Sequence, residues 1–498
     1  MSDFLAQLSA APSRGHGAAN TTDSDYDRQL RDLLAYLKQP SLVPSTADLN
    51  EVLEALNPAI HSLSFLFLLR LQIHHTQKRT NRDIPDDLLP GYNLWKHAVR
   101  FLRSFDPIQI RYAGHEWRQL VELIASAAQF VSKPILAVKV IRDALERFDT
   151  SGIFTSIHQM FVKLALHSSS YADALPIVDK FLYQFPPDTE HGCTERLLCS
   201  VQASNEVFIT DSSGFSGDLT YRDHLQFYLY SAMIYMAAKQ WDRASHCLNI
   251  VVSSPTATSV SKIMVEAYKK WTLVNLLGHG KLHPTPSLIA PQVMRVYQSL
   301  ARPYISLAEA FEKGDMRKLA AEINIGRAIW RADNNSGLVS QVFEAYDKFV
   351  IIKLGITFSA LTMPDVLQRA SLCLKGSHDV EEFVVSLVMS NALRASLSHS
   401  SSSENTTMLR FGPTTRTRGL REEYVRARLI QTKHALNTIA RGVIQTDRAL
   451  GISNENLQFI VKNQTWNGNS EKSGAVGSCE ADGGDVGDID EDLMGNAY

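Results

Sequence analysis

The histidines of His279-Gly280-Lys281-Leu282-His283 have the spacing that most resembles a metal-ligand pair in this chain. Imidazoles four residues apart line up as ligands on one face of a helix, and a zinc peptidase also needs a glutamate directly after the first histidine. Glycine stands there instead. Gly278, Gly280 and Pro284 oppose a helix, so the segment reads as a turn between helices. The Gly280-Lys281 pair also fails as a phosphate loop, because Leu282 occupies the magnesium-binding Ser/Thr position and the earlier glycine is missing. No His-x-His pair exists, so the zinc-ligand signature of deubiquitinase-type metalloisopeptidases is absent. His74-His75 stands beside Gln77, Lys78 and Arg79 at an expected helix end, where solvated cations suit the helix dipole. Cys193 and Cys199 lie near His191, but no further catalytic residue accompanies them, and buried cysteine is the simpler reading. No catalytic, cofactor-binding or metal-ligating residue is assigned, and no cofactor is expected.

The 498 residues exceed one ordinary core, so several domains or one elongated array must carry them. With 45% hydrophobic and 20% charged residues and a formal charge of −2, the composition is that of a soluble protein without chain-wide attraction to nucleic acid or membrane. The five cysteines, completed by Cys247, Cys373 and Cys479, lack zinc or disulfide spacing and suit a reducing compartment, cytoplasm or nucleus. Met1-Ser2-Asp3-Phe4-Leu5 has neither the charge nor the apolar length of a signal peptide, which makes the sequons at Asn20, Asn405 and Asn463 chance matches. The most apolar run, Phe65 to Ile73, is interrupted by Arg70 and is too short to span a bilayer.

Residues 1–25 are too poor in apolar side chains to offset chain entropy and are expected to be disordered. From Tyr26 apolar residues recur at helical spacing, beginning with Leu30, Leu33, Leu34 and Leu37, and Ser45 offers a cap for a second helix. The pattern continues to residue 337, defining a helical-repeat domain over 26–337. Three stretches fit a helix-turn-helix template of the tetratricopeptide kind, in which small residues let paired helices approach. They are Trp117 to Phe148 (Ala125, Ala128, Ala137), Phe154 to Pro186 (Ala165, Ala174) and Leu225 to Pro255 (Ala232, Ala244), with the Gly- and Ser-rich loop Thr210 to Thr220 interrupting the series. In a further hairpin, Leu307 to Leu319, Gly314 closes one helix and Asp315 caps the next.

Over 338–415 the order is helix, strand, helix, helix, strand, wing, strand, which is that of a winged helix, with the serine run Ser398 to Ser403 as wing. Its second core helix, where a DNA reader would carry cations, contains Asp379, Glu381 and Glu382 and no base. An acidic helix repels phosphates, so no direct nucleic-acid contact and no membrane contact are expected, and protein contact is favoured through strands bearing Leu393, Leu397, Met408 and Leu409. A long helix follows over 418–462. Val425, Leu429, Thr432, Leu436, Ile439, Val443, Thr446 and Leu450 alternate steps of four and three, a seam that wants a partner helix. The acidic, glycine-rich remainder, 463–498, is expected to be disordered.

This layout, an all-α repeat solenoid leading into a winged helix and a long C-terminal helix, resembles the PCI-domain family, shared by the proteasome lid, the signalosome and a translation initiation factor complex. Tyr228-Leu229-Tyr230 with Met233-Ile234-Tyr235, Ile263-Met264-Val265-Glu266-Ala267-Tyr268-Lys269-Lys270, and Asp333-Asn334-Asn335 with Gly337-Leu338-Val339 are similar to stretches of the COP-nine (constitutive photomorphogenesis nine) signalosome branch. The N-terminal extension, the turn at Thr256 to Ser259 and the serine-rich wing depart from the family pattern. The resemblance implies a non-catalytic scaffold in a complex that removes the ubiquitin-like modifier Nedd-eight from cullins. The partners so implied are other signalosome subunits, including a zinc metalloprotease subunit, and through the complex cullin-RING ligases. It further implies that winged helices pack edge to edge and that terminal helices gather in one bundle. Scaffolding of the proteasome lid or another PCI complex, and nucleic-acid binding by a PCI protein, are the competing readings.

Overall fold

The computed structural model describes residues 23–39, 46–148, 150, 152–180, 182–187, 198–200, 205–255, 260–370, 377–390, 392–399, 407–412 and 422–452. The chain divides into two units, Met1–Gly412 and Pro413–Tyr498.

The first unit is a stack of helical hairpins. The expected pairs appear as Gly114–Phe130 with Pro134–Phe148, Ser156–His167 with Tyr171–Val178, and Tyr221–Ala237 with Trp241–Val252. The small residues do what the template requires, since Ala128, Ala137, Ala165, Ala174, Ala232 and Ala244 are all fully buried. Two more pairs, Arg302–Lys313 with Met316–Ile325 and Arg327–Ala332 with Ser336–Thr357, continue the stack. Asp315 caps as expected, accepting a hydrogen bond from the Lys318 amide at 3.1 Å, and Gly314 is left-handed at φ 75°.

All five hairpins turn by one device. Ser132, Ser169, Lys239, Gly314 and Asn334 have φ between 54° and 75°, and at each the following amide reaches back to a carbonyl five residues earlier, as in Lys133 N–H to Ala128 O at 2.9 Å and Asn335 N–H to Trp330 O at 2.8 Å. Five residues after each turn stands a buried packing residue, respectively Ala137, Ala174, Ala244, Leu319 and Val339. The turn and the packing position form one repeat unit, which four non-glycine residues enter at a backbone cost of about 1 kcal/mol each.

The loop Thr210 to Thr220 is part of the core. Phe215 packs against Phe148 and Trp117 with ring centroids 4.7 and 5.9 Å away, and a Cβ on Gly114 would come within 2.5 Å of the Ser213 carbonyl oxygen. Its glycines serve close approach more than chain slack. At the N-terminal end the first described helix, Asp23–Leu37, starts slightly before Tyr26, with Asp23 and Asp25 in its first turn where the dipole favours acids. Asp27 ties it down by accepting hydrogen bonds from Tyr112 Oη and from Arg31 Nε.

One continuous apolar core runs from Leu49 to Phe349, and a second, smaller core holds the winged helix. The helix Ser336–Thr357 belongs to both, giving Val339, Val342, Tyr346 and Phe349 to the first and Ile351 to the second. The winged helix adds helices Met363–Ala370 and Ser377–Met389 and three antiparallel strands, Ala360–Thr362, Thr407–Phe411 and Ala395–His399, with Thr407–Phe411 in the middle. Of the stretch 1–25 expected to be disordered, residues 23–25 are helical and 1–22 lie outside the described residues, as do 463–498; of the serine wing, Ser398 belongs to the strand Ala395–His399 and residues 400–406 lie outside the described residues. In the second unit the described element is one helix, Glu422–Ile452.

Candidate assembly surfaces

The residues with possible chemistry are held in ordinary structural roles. His279 ends the helix Lys262–His279, Gly280 caps it at φ 68°, and His283 stacks edge-on with ring centroids 4.3 Å apart. Gly278 lies inside that helix, against the expectation that it would break it, because a Cβ there would approach Trp241 Cβ to 2.9 Å and glycine admits the neighbouring hairpin. His279 Nε2 lies 3.4 Å from Asp242 Oδ1, and burial followed by the neighbouring His279 lowers the His283 pKa. Among the described residues no group of three or more His, Cys, Asp or Glu side chains is placed to hold a metal.

Cys199 and Cys247 are buried, and burial, then Asp179, pushes the Cys247 thiol up to about 12, far from a reactive thiolate. Cys193, Cys373 and Cys479 lie outside the described residues. His158 is fully enclosed between Thr150 Oγ1 at 2.8 Å and the Thr155 amide, which donates to Nδ1 at 3.1 Å. Desolvation drives its pKa down to about 3, so it is a neutral structural histidine.

The three sequence blocks that carried the family resemblance turn out to be joints between hairpins. Tyr228 donates from Oη to the Leu182 carbonyl, and Tyr235 Oη donates to Asp179 Oδ1 at 2.6 Å, beside an Arg243–Asp179 ion pair. These bonds fasten the third hairpin to the second. Lys269 Nζ donates to both carboxylate oxygens of Asp333 at 2.8 Å, and Tyr304 Oη donates to the same carboxylate at 2.8 Å. Asn335, fully buried, donates from Nδ2 to Tyr304 Oη at 2.8 Å, while Asn334 supplies the left-handed turn. The Glu266 to Lys270 block and the Asp333 to Val339 block therefore meet in space. Lys270, nearly buried, pairs with Glu266 one helical turn away at 2.7 Å.

The subunit-contact residues expected from the sequence fall on two candidate surfaces. In the winged helix Leu409 and Leu393 lie in the core, Leu397 is half-buried and Met408 faces solvent. Leu409 and Met408 sit on the middle strand, bonded on both sides, so this strand offers no free edge, contrary to the sequence expectation. Pairing with Ala360–Thr362 on one side and Ala395–His399 on the other takes up both of its edges, while alternation sends Leu409 inward opposite Leu361 and Leu397. The outer edges belong to Ala395–His399 and Ala360–Thr362. The acidic helix behind them is bonded to the sheet through Thr407 Oγ1, which donates to Glu381 Oε1 at 2.9 Å.

The second surface is the helix Glu422–Ile452. Val425, Leu429, Leu436, Ile439 and Val443 of the expected seam are exposed, as are Ile430 and Ile444 beside it. The side chain of Leu450 lies outside the described residues.

A profile of the family described as COP9 signalosome complex subunit 3, N-terminal helical repeats, matches residues 27–294. The COP9 signalosome complex subunit 3 of Emericella nidulans is 66% identical over 496 residues, with both chains covered in full, the N-terminal extension included. Relatives of the same description in Dictyostelium discoideum and Neurospora crassa are each 25% identical, over 373 and 356 residues, covering 74% and 70% of this chain and 79% and 70% of their own.

Proposed function

This chain belongs to the COP9 signalosome complex subunit 3 family, and we propose on that footing that it is a non-catalytic scaffold of the complex that removes Nedd-eight from cullins. The observation that carries the reading is the helix Glu422–Ile452, whose apolar seam from Val425 to Val443 lies open to water. Such a seam is stable only when a partner helix covers it. The outer edge of Ala395–His399, with Leu397 and Met408 near it and Leu393 and Leu409 backing it, is the second contact. Zinc chemistry then resides in a metalloprotease subunit of the assembly, and cullin-RING ligases are reached through the complex. The protein works in cytoplasm and nucleus, as cysteines without disulfide or zinc spacing suit.

Affinity purification of the tagged full chain tests this. Recovery of the zinc subunit and cullins is expected, whereas recovery of proteasome base ATPases in their place refutes it. Leu436→Asp with Ile439→Asp should abolish co-purification while the circular dichroism of the hairpin stack is unchanged.

A further inference from the structure

We infer that the partner on the seam is a helix from a different chain, parallel to Glu422–Ile452 and acidic along the flanks that lie beside residues 426–433. This rests on the seam being an assembly surface and adds the chemistry of its occupant. In the repeat of seven that the seam defines, Arg426 and Lys433 directly follow the core positions Val425 and Thr432, and Arg428 directly precedes Leu429. These are the flanking positions that choose a partner by charge. All three side chains are exposed. Farther along, apart from Asp447, the flanks become small, with Ala435, Ala440, Gly442 and Ala449. The helix thus presents a cationic half, where charge decides the partner, and a half whose small flanks let a backbone approach.

A second copy of this chain fits poorly. In a parallel pair Arg428 of each copy faces Lys433 of the other, a repulsion made twice. An antiparallel pair gives Arg426 the Asp447 of the other copy but sets Arg428 and Lys433 against alanines, Ala449 and Ala440. A parallel helix with acids at the facing flanks satisfies both cations and keeps the seam covered.

The test uses the full-length chain and two synthetic helical peptides as probes. One reproduces Glu422–Ile452, and the other carries Arg426→Glu, Arg428→Glu and Lys433→Glu. Two flank contacts change from repulsive to attractive, so the acidic peptide should bind about tenfold more tightly by fluorescence anisotropy at low salt, with the preference shrinking at high salt. Sedimentation of the chain alone should show a monomer. Equal affinity for the two peptides, absence of binding by both, or a dimer in sedimentation overturns the inference. Failure of the underlying reading is separate, because it shows as unchanged co-purification of the Leu436→Asp/Ile439→Asp chain.

Discussion

Replacing Asp333 with alanine should loosen the stack at one joint, by an amount that the geometry bounds. The carboxylate receives three hydrogen bonds, two from Lys269 Nζ and one from Tyr304 Oη, all at 2.8 Å. Without it the Lys269 ammonium is stranded between two helices, and Tyr304 keeps only its bond from Asn335. Breaking a fully buried ion pair costs about 3–5 kcal/mol, while an exposed pair is worth about 0–1 kcal/mol. The two side chains are 17% and 21% exposed, so Lys269 keeps a path to water and the loss falls between these limits, at about 2 kcal/mol. A long array does not unfold in a single step, so the readout must be local. Hydrogen exchange resolved by peptide fits: amides of Lys262–His279 and of the first turns of Ser336–Thr357 should exchange about thirtyfold faster, and those of Gly114–Phe130 should not change. Lys269→Met combined with Asp333→Ala should cost less than the two single changes added together, by about 1–2 kcal/mol, because no charge is then left without its partner. Strict additivity, or unchanged exchange in the single variant, would refute the joint.

Two further changes probe the packing. Gly280→Ala must place a side chain at φ 68° with its Cβ 2.4 Å from Phe349 Cδ1, whereas Gly314→Ala at φ 75° meets nothing nearer than Tyr346 Oη at 4.0 Å. Hydrogen exchange resolved by peptide around each site should therefore show a local loss of about 3 kcal/mol at Gly280, backbone strain plus overpacking, and about 1 kcal/mol at Gly314, strain alone. Equal losses would discredit the Phe349 contact. His158 is held neutral in the fold, with its pKa lowered to about 3. The unfolded imidazole takes up a proton below its ordinary pKa of about 6.5 and the folded one refuses it, so stability present above that pH falls as the solution is acidified, by about 2 kcal/mol at pH 5. Urea midpoints followed from pH 7.5 to 5 by a probe within the hairpin that carries His158 should decline, and His158→Gln, less stable throughout, should show a flatter profile. A parallel decline in both proteins counts against the assignment.

What the sequence made legible follows from which signals are local. Alanines such as Ala137, Ala174 and Ala244 recur at fixed offsets within a hairpin, and Gly314 beside Asp315 spells out a helix end and a helix start, so these pairs were readable. The turns at Ser132, Ser169 and Lys239 use the same left-handed geometry, but neither serine nor lysine announces it, because tertiary packing offsets a strain that propensity penalises. The loop carrying Phe215 reads as slack by composition, since glycine for close approach and glycine for flexibility look alike until Trp117 is seen beneath it. For the candidate surfaces, the seam of Glu422–Ile452 was readable because its period is local. The order of the strands was not, because alternation names the inward residues of Thr407–Phe411 without saying how many neighbours the strand has.

The joints explain why the chain can be assigned to a family from short blocks. A buried leucine can give way to isoleucine or methionine at less than about 1.5 kcal/mol, so apolar positions specify a hairpin without specifying which protein it belongs to. Lys269 and Asp333, 64 residues apart, have less freedom, for losing Asp333 leaves the partly buried Lys269 ammonium without its carboxylate and Tyr304 without its acceptor. Tyr235 and Asp179, 56 residues apart, likewise tie two hairpins together, here through a hydrogen bond to a carboxylate that also pairs with Arg243. Each pair fixes one particular hairpin at one particular angle to another. That is the property a scaffold needs if Ala395–His399 is to be presented at a set place through the shared helix Ser336–Thr357. The blocks that identify this chain are therefore the residues that would hold the proposed docking edge in position, and weakening the Asp333 joint should loosen the assembly although Asp333 lies on neither candidate surface.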